Sequence, residues 1–96
     1  MKVFISGKAR RELLQIYAYL AERNPAAAES VIQEFNRKFE NLTHFPFIGR
    51  ERPNISAGLR SLVVRNYVIF YDVTHDQITI YRVIDGRMDI DREFQR

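Results

Sequence analysis

The chain has 96 residues, 46% hydrophobic and 28% charged, with 15 Lys and Arg against 12 Asp and Glu, for a formal net charge of +3. That length supports one hydrophobic core, so residues 1–96 are expected to form a single domain, and the balanced composition argues against disorder. With no cysteine there is no disulfide framework and no thiolate metal site, which fits a reducing cytoplasm.

At the N-terminus, Val3–Ile5 is the one apolar run in MKVFISGKARREL. It is too short for a secretory signal or a membrane span, and it reads as a short strand added to the edge of a later sheet. Ser6 suits a helix N-cap. From Lys8 the apolar period changes: Leu13, Ile16, Tyr17 and Leu20 recur at spacings of three and four, predicting a helix that ends near Arg23. Asn24-Pro25 then stops one helix and starts the next, because Asn caps well and Pro fits the first helical turn. Val31, Ile32, Phe35, Phe39 and Leu42 trace the second stripe. Two helices joined so tightly form an antiparallel hairpin whose combined stripe covers one face of a sheet.

After Leu42 the segment Thr43–Gly49 reads as irregular, with Phe45, Phe47 and Ile48 expected to pin it to the core. Pro53–Gly58 reads as a second loop. The stretch Leu59–Arg87 then carries three antiparallel strands rich in β-branched and aromatic residues. Arg65-Asn66 is a two-residue turn in which Asn tolerates a left-handed conformation, and Thr74-His75-Asp76 closes the next hairpin. Tyr67–Val73 is apolar on both alternating faces, which predicts a central strand with helices on one side and a partner on the other. The tail Met88–Arg96 is polar, with Ile90 and Phe94 as anchors. The expected architecture is an α+β fold of order β-α-α-β-β-β, with the helices on one face of the sheet.

Several chemistries lack their residues. His44 and His75 fall in separate loops with no ligand spacing around them. The four glycines are scattered, so there is no phosphate-cradling loop, and no serine sits in a triad pattern. Arginine and tyrosine remain. Arg50, Arg52, Arg60 and Arg65 stand against only Glu51 in Gly49–Arg65, and Arg82 and Arg87 follow in the last strand. Arginine forks grip phosphate or carboxylate and tyrosines stack on bases, so an RNA grip on the sheet is one reading. The other is internal pairing of Arg60 and Arg82, for instance with Asp85 or Asp89.

Four segments in order, ARRELLQIYAYLAERNPAAAESVIQEF, LTHFPFIGRER, GLRSLVVRNYVIFYDV and ITIYRVIDGRMDI, span nearly the whole chain. Together they resemble the ParE branch of the RelE/ParE toxin superfamily. The resemblance implies a cytoplasmic toxin of a bacterial type II toxin–antitoxin system that causes growth arrest and serves plasmid or chromosome stability. It implies neutralisation by a cognate ParD-like antitoxin in a hetero-oligomer, contact with operator DNA only through that antitoxin, no cofactor, no metal and no membrane. ParE-like members inhibit DNA gyrase, whereas RelE-like members cleave ribosome-bound mRNA. The ribonuclease branch usually places arginine after the tyrosine where this chain has Val68, and a tyrosine shortly after the final arginine, where Arg87 is followed by Met88-Asp89-Ile90-Asp91. Where ParE-like chains commonly have histidine before the last glycine, this one has Asp85, whose negative charge lies beside Arg87.

The first expectation is therefore a non-enzymatic gyrase inhibitor with no catalytic residues. Arg50, Arg52, Arg60, Arg65, Tyr71, Arg82 and Arg87 would contact target or antitoxin, with the antitoxin covering the sheet face and the Arg50–Arg65 region. The alternative is a RelE-like ribonuclease, with Arg60, Arg82 and Arg87 on phosphate and Tyr81 or Tyr71 stacking on bases. A third is a non-toxic member that only binds antitoxin.

Overall fold

A computed structural model describes residues 1–95, so the final residue of the tail, Arg96, lies outside the described residues. The element order is β1 (Lys2–Ile5), α1 (Gly7–Arg23), α2 (Pro25–His44), β2 (Arg50–Glu51), β3 (Arg60–Val64), β4 (Tyr67–Thr74), β5 (Gln77–Asp85) and α3 (Ile90–Glu93). One five-stranded sheet has the order β1-β5-β4-β3-β2. The expected α+β fold is present, with β1 at the sheet edge, paired parallel to β5, and β3, β4 and β5 forming the antiparallel meander.

The helix boundaries follow from local chemistry. The Ser6 side chain accepts the N–H of Ala9 at 3.1 Å and starts α1. Asn24 ends α1 and caps α2 by accepting the N–H of Ala27 at 3.1 Å, with Pro25 in the first turn. The α2 stripe Val31, Phe35, Phe39 and Leu42 is buried and packs with Leu13, Ile16 and Leu20 of α1 on Ile69, Tyr71, Ile78 and Ile80 of the sheet. Tyr17, placed on the α1 stripe by its spacing, is 41% exposed at the rim. Helix α2 runs through Thr43 and His44, beyond the boundary read from sequence.

Two strand details differ from expectation. Arg50–Glu51 is a strand, paired antiparallel with Arg60–Ser61; two residues give no period to detect. In the β3–β4 turn the left-handed residue is Arg65 (φ 55°), not Asn66, and His75 (φ 54°) takes the same role in the next turn. A positive φ at the first turn residue suits the twist of a two-residue hairpin.

The second apolar face of β4 is covered by the chain itself. Leu59, Phe70 and Ile84 are buried there beneath Ile55, Ile90 and Phe94. The Phe94 ring meets Phe70 edge-on at 4.8 Å. The partner expected over the whole face is therefore replaced in large part by the Pro53–Gly58 loop and the C-terminal segment, whose predicted anchors Ile90 and Phe94 do this packing. No described helix is long and apolar enough to cross a membrane.

Candidate interaction surface

The predicted arginines do not converge. Arg60 lies across from Tyr71 and Arg82 across from Phe70, successive residues of β4. The two arginines therefore leave the sheet on opposite faces. Arg82 donates to one oxygen of Glu12 from Nε at 3.0 Å and Nη2 at 2.8 Å, and to Oε1 and the carbonyl of Glu93 at 2.8 and 3.0 Å. The other Glu12 oxygen accepts the backbone N–H of Val83 at 2.9 Å, at an edge of β5 that β1 does not reach. Burial works against the Arg82 charge, but Glu12 and Glu93 outweigh it and raise its pKa above the ordinary arginine value. Internal pairing of Arg82 is thus real, with Glu12 and Glu93 in place of Asp85 or Asp89. Asp89 instead caps α3.

Of the other predicted contact arginines, Arg60, Arg65 and Arg87 are also paired with carboxylates. Arg60 donates to Glu51 at 3.3 Å and to the carbonyls of Phe47 and Gly49 at 3.1 and 2.9 Å. Arg65 reaches Glu34 at 3.4 Å and Ser30 at 2.9 Å. Arg87 grips Asp85 through Nη2 at 2.6 Å and Nε at 3.0 Å. This pairing, through its side-chain and then its backbone hydrogen bonds, lowers the Asp85 pKa from 3.8 to about 2. Among the described residues Arg50 and Arg52 have no carboxylate partner; Arg52 donates to Ser61 at 3.3 Å and lies 5.5 Å from the Phe70 ring centroid.

Of the tyrosines, Tyr71 is fully buried and cannot stack on a base or meet a partner, so its place in the predicted surface is corrected. Its hydroxyl donates to the Pro46 carbonyl and accepts the Gly49 N–H, each at 2.8 Å. Burial raises its pKa, against the opposing effects of Gly49 and Arg60. Tyr81 lies beside Arg82 in a cleft of about 530 Å³ that also includes Lys8, Leu59, Asp72 and Phe94. Its hydroxyl donates to Asp72 at 3.2 Å. Burial and then the Asp72 charge push its pKa above 10. The conditional ribonuclease set is therefore split: Tyr81 and Arg82 share a cleft, Arg87 opens beside Tyr19, Tyr67 and Met88, and Arg60 stands at the far side of the sheet.

The segment after α2 departs from the expectation. Phe45, Phe47 and Ile48 do not pin the loop; they are 64%, 62% and 62% exposed. The loop is held instead by its backbone, through Tyr71 and Arg60. An apolar groove of about 300 Å³ lies elsewhere, lined by Ile5, Leu13, Leu14, Tyr17, Ile32 and Phe35 among others. Neither feature was evident from sequence, although Leu14 beside the α1 stripe was a signal for the groove. Among the described residues no three His, Cys, Asp or Glu side chains cluster to hold a metal.

The small sheet carries a helix hairpin on one face, and Arg60, Arg65, Arg82 and Arg87 are each tied to a carboxylate of the same chain. Residues 3–90 match the family described as the ParE toxin of the type II toxin-antitoxin system parDE. The chain belongs to that family. It is 28% identical over 80 residues to Toxin ParE3 of Caulobacter vibrioides, covering 82% of this chain and 80% of the relative. A solved chromosomal ParDE toxin-antitoxin system from P. aeruginosa superposes with a TM-score of 0.75 at 23% identity, covering 88% of this chain and 95% of that one. It shares the fold.

Proposed function

We propose that this chain arrests growth in the cytoplasm by binding DNA gyrase, without cleaving any bond itself, and that a ParD-like antitoxin holds it inactive in a hetero-oligomeric complex. Family membership supplies the toxin role. The observation that favours binding over cleavage is the placement of Arg60 and Arg82 on opposite sheet faces, each neutralised by a carboxylate of the same chain. Such a set has no common point at which to hold a scissile phosphate.

The second sheet face already carries much of its own cover, so the groove of Ile5, Leu13, Leu14 and Tyr17 is the better seat for an antitoxin segment that folds as it binds. Of the predicted contact arginines, Arg50 and Arg52 are the two without a carboxylate to give up, and they are assigned to partner contact. Operator DNA is reached only through the antitoxin. The test is induction in cells without antitoxin. Altered plasmid supercoiling with intact mRNA supports the proposal, whereas cut messages with normal supercoiling reverse it in favour of the ribonuclease.

A further inference from the structure

The loop between α2 and β2 holds three large apolar side chains in water, and its backbone is secured almost residue by residue. The Phe45 N–H donates to Asn41 at 2.9 Å, and the Phe45 carbonyl accepts from Ile48 at 3.3 Å. Pro46 and Gly49 are bridged by the buried Tyr71 hydroxyl, at 2.8 Å on each side. The Phe47 and Gly49 carbonyls accept from Arg60 at 3.1 and 2.9 Å, and the guanidinium carbon sits 5.2 Å from the Phe47 ring centroid. A Cβ on Gly49 would come within 2.5 Å of the Tyr71 hydroxyl, so this close approach requires glycine.

Exposed apolar residues on a mobile loop would collapse or disperse. Here the ordering cost is already met by the fold, the usual condition for a tight protein contact. An apolar surface already held in place needs no ordering on binding, which suits a partner that is itself folded and moves little on docking. Directly after the loop, Arg50 is exposed and has no carboxylate partner among the described residues, while the neighbouring Glu51 is paired with Arg60, so the flank keeps an unpaired positive charge.

We propose that Phe45, Phe47 and Ile48 form a preorganised plug that enters an apolar, carboxylate-rimmed pocket on the toxin's folded target, apart from the antitoxin groove. Identifying that target as gyrase rests on the function proposed above; the plug itself does not.

The test compares the full-length wild type with Phe45→Ser/Phe47→Ser and with Tyr71→Phe, in growth arrest and in binding to purified gyrase. The double variant should keep its far-UV circular dichroism and its melting temperature, since both side chains are mostly in water. It should lose growth arrest and bind gyrase at least about 30-fold more weakly. Tyr71→Phe, which loosens the loop but keeps its apolar side chains, should fall between the two. A folded double variant that arrests growth like the wild type overturns the plug whatever the target is. Should the wild type itself not bind gyrase, gyrase is the wrong target, and growth arrest alone decides for or against the plug.

Discussion

The hydroxyl of Tyr71, on the central strand, closes the loop after α2 by bonding to both Pro46 and Gly49. A residue read as part of a contact surface is therefore the internal post on which an exposed loop is built. Tyr71→Phe removes both bonds and leaves the buried Gly49 N–H unpaired, at a cost of about 2 kcal/mol. Gly49→Ala forces a methyl group against the same hydroxyl and the Ser61 carbonyl and should cost at least as much. Urea denaturation of both variants checks this; a wild-type midpoint for Gly49→Ala would mean that the loop is not held as described.

Glu12 ties three parts of the fold together, because one carboxylate serves the Val83 N–H and the Arg82 guanidinium, which also holds Glu93. Glu12→Ala leaves a buried cation short of a partner and an open strand edge, and should destabilise by about 3 kcal/mol. Arg82→Met leaves the Glu12 and Glu93 carboxylates without their shared cation and should cost at least as much as Glu12→Ala. Equal midpoints for Glu12→Ala and wild type in denaturant would contradict this account of the C-terminal docking.

His75 occupies a left-handed conformation at φ 54°, which costs a residue with a Cβ roughly 1 kcal/mol. Its side chain makes none of the described hydrogen bonds, so His75→Gly relieves the strain without removing one. The variant should gain up to about 1 kcal/mol, read as a higher melting temperature. Arg65 is strained in the same way (φ 55°) but holds Glu34 and Ser30, so Arg65→Gly should gain less.

The Asp85 pKa is depressed in the fold, from 3.8 to about 2, chiefly by Arg87. A depressed acid pKa stabilises the fold above the unfolded value, and the contribution is lost as pH falls from about 4 through 2. Because the Arg87 side chain is 80% exposed, salt should weaken the effect. Carboxyl titration by NMR should place Asp85 below the other aspartates, and Arg87→Gln should return it towards 3.8. An Asp85 titration unchanged by Arg87→Gln would show that the pair is not the cause.

Much of the fold was legible because its signals are local. Asn24-Pro25 marks the hairpin turn by capping chemistry, and the α2 stripe from Val31 to Leu42 reports its buried face directly. What stayed hidden depends on distance along the chain. Nothing near Arg82 points to Glu12, 70 residues earlier, so the internal pairing could be foreseen but its partners could not. Phe45, Phe47 and Ile48 were read inward because apolar side chains usually are; their outward placement depends on hydrogen bonds from Tyr71 and Arg60, which composition does not reveal. The second face of β4 misled for the same reason, since Ile55 and Phe94 come from segments with no period of their own.

The most direct measurement is DNA supercoiling by purified gyrase in the presence of the purified chain, with and without a ParD-like antitoxin. The expected result is inhibition by the chain alone and release of that inhibition by stoichiometric antitoxin. Undiminished supercoiling at a saturating excess of chain that still arrests growth in cells would contradict it.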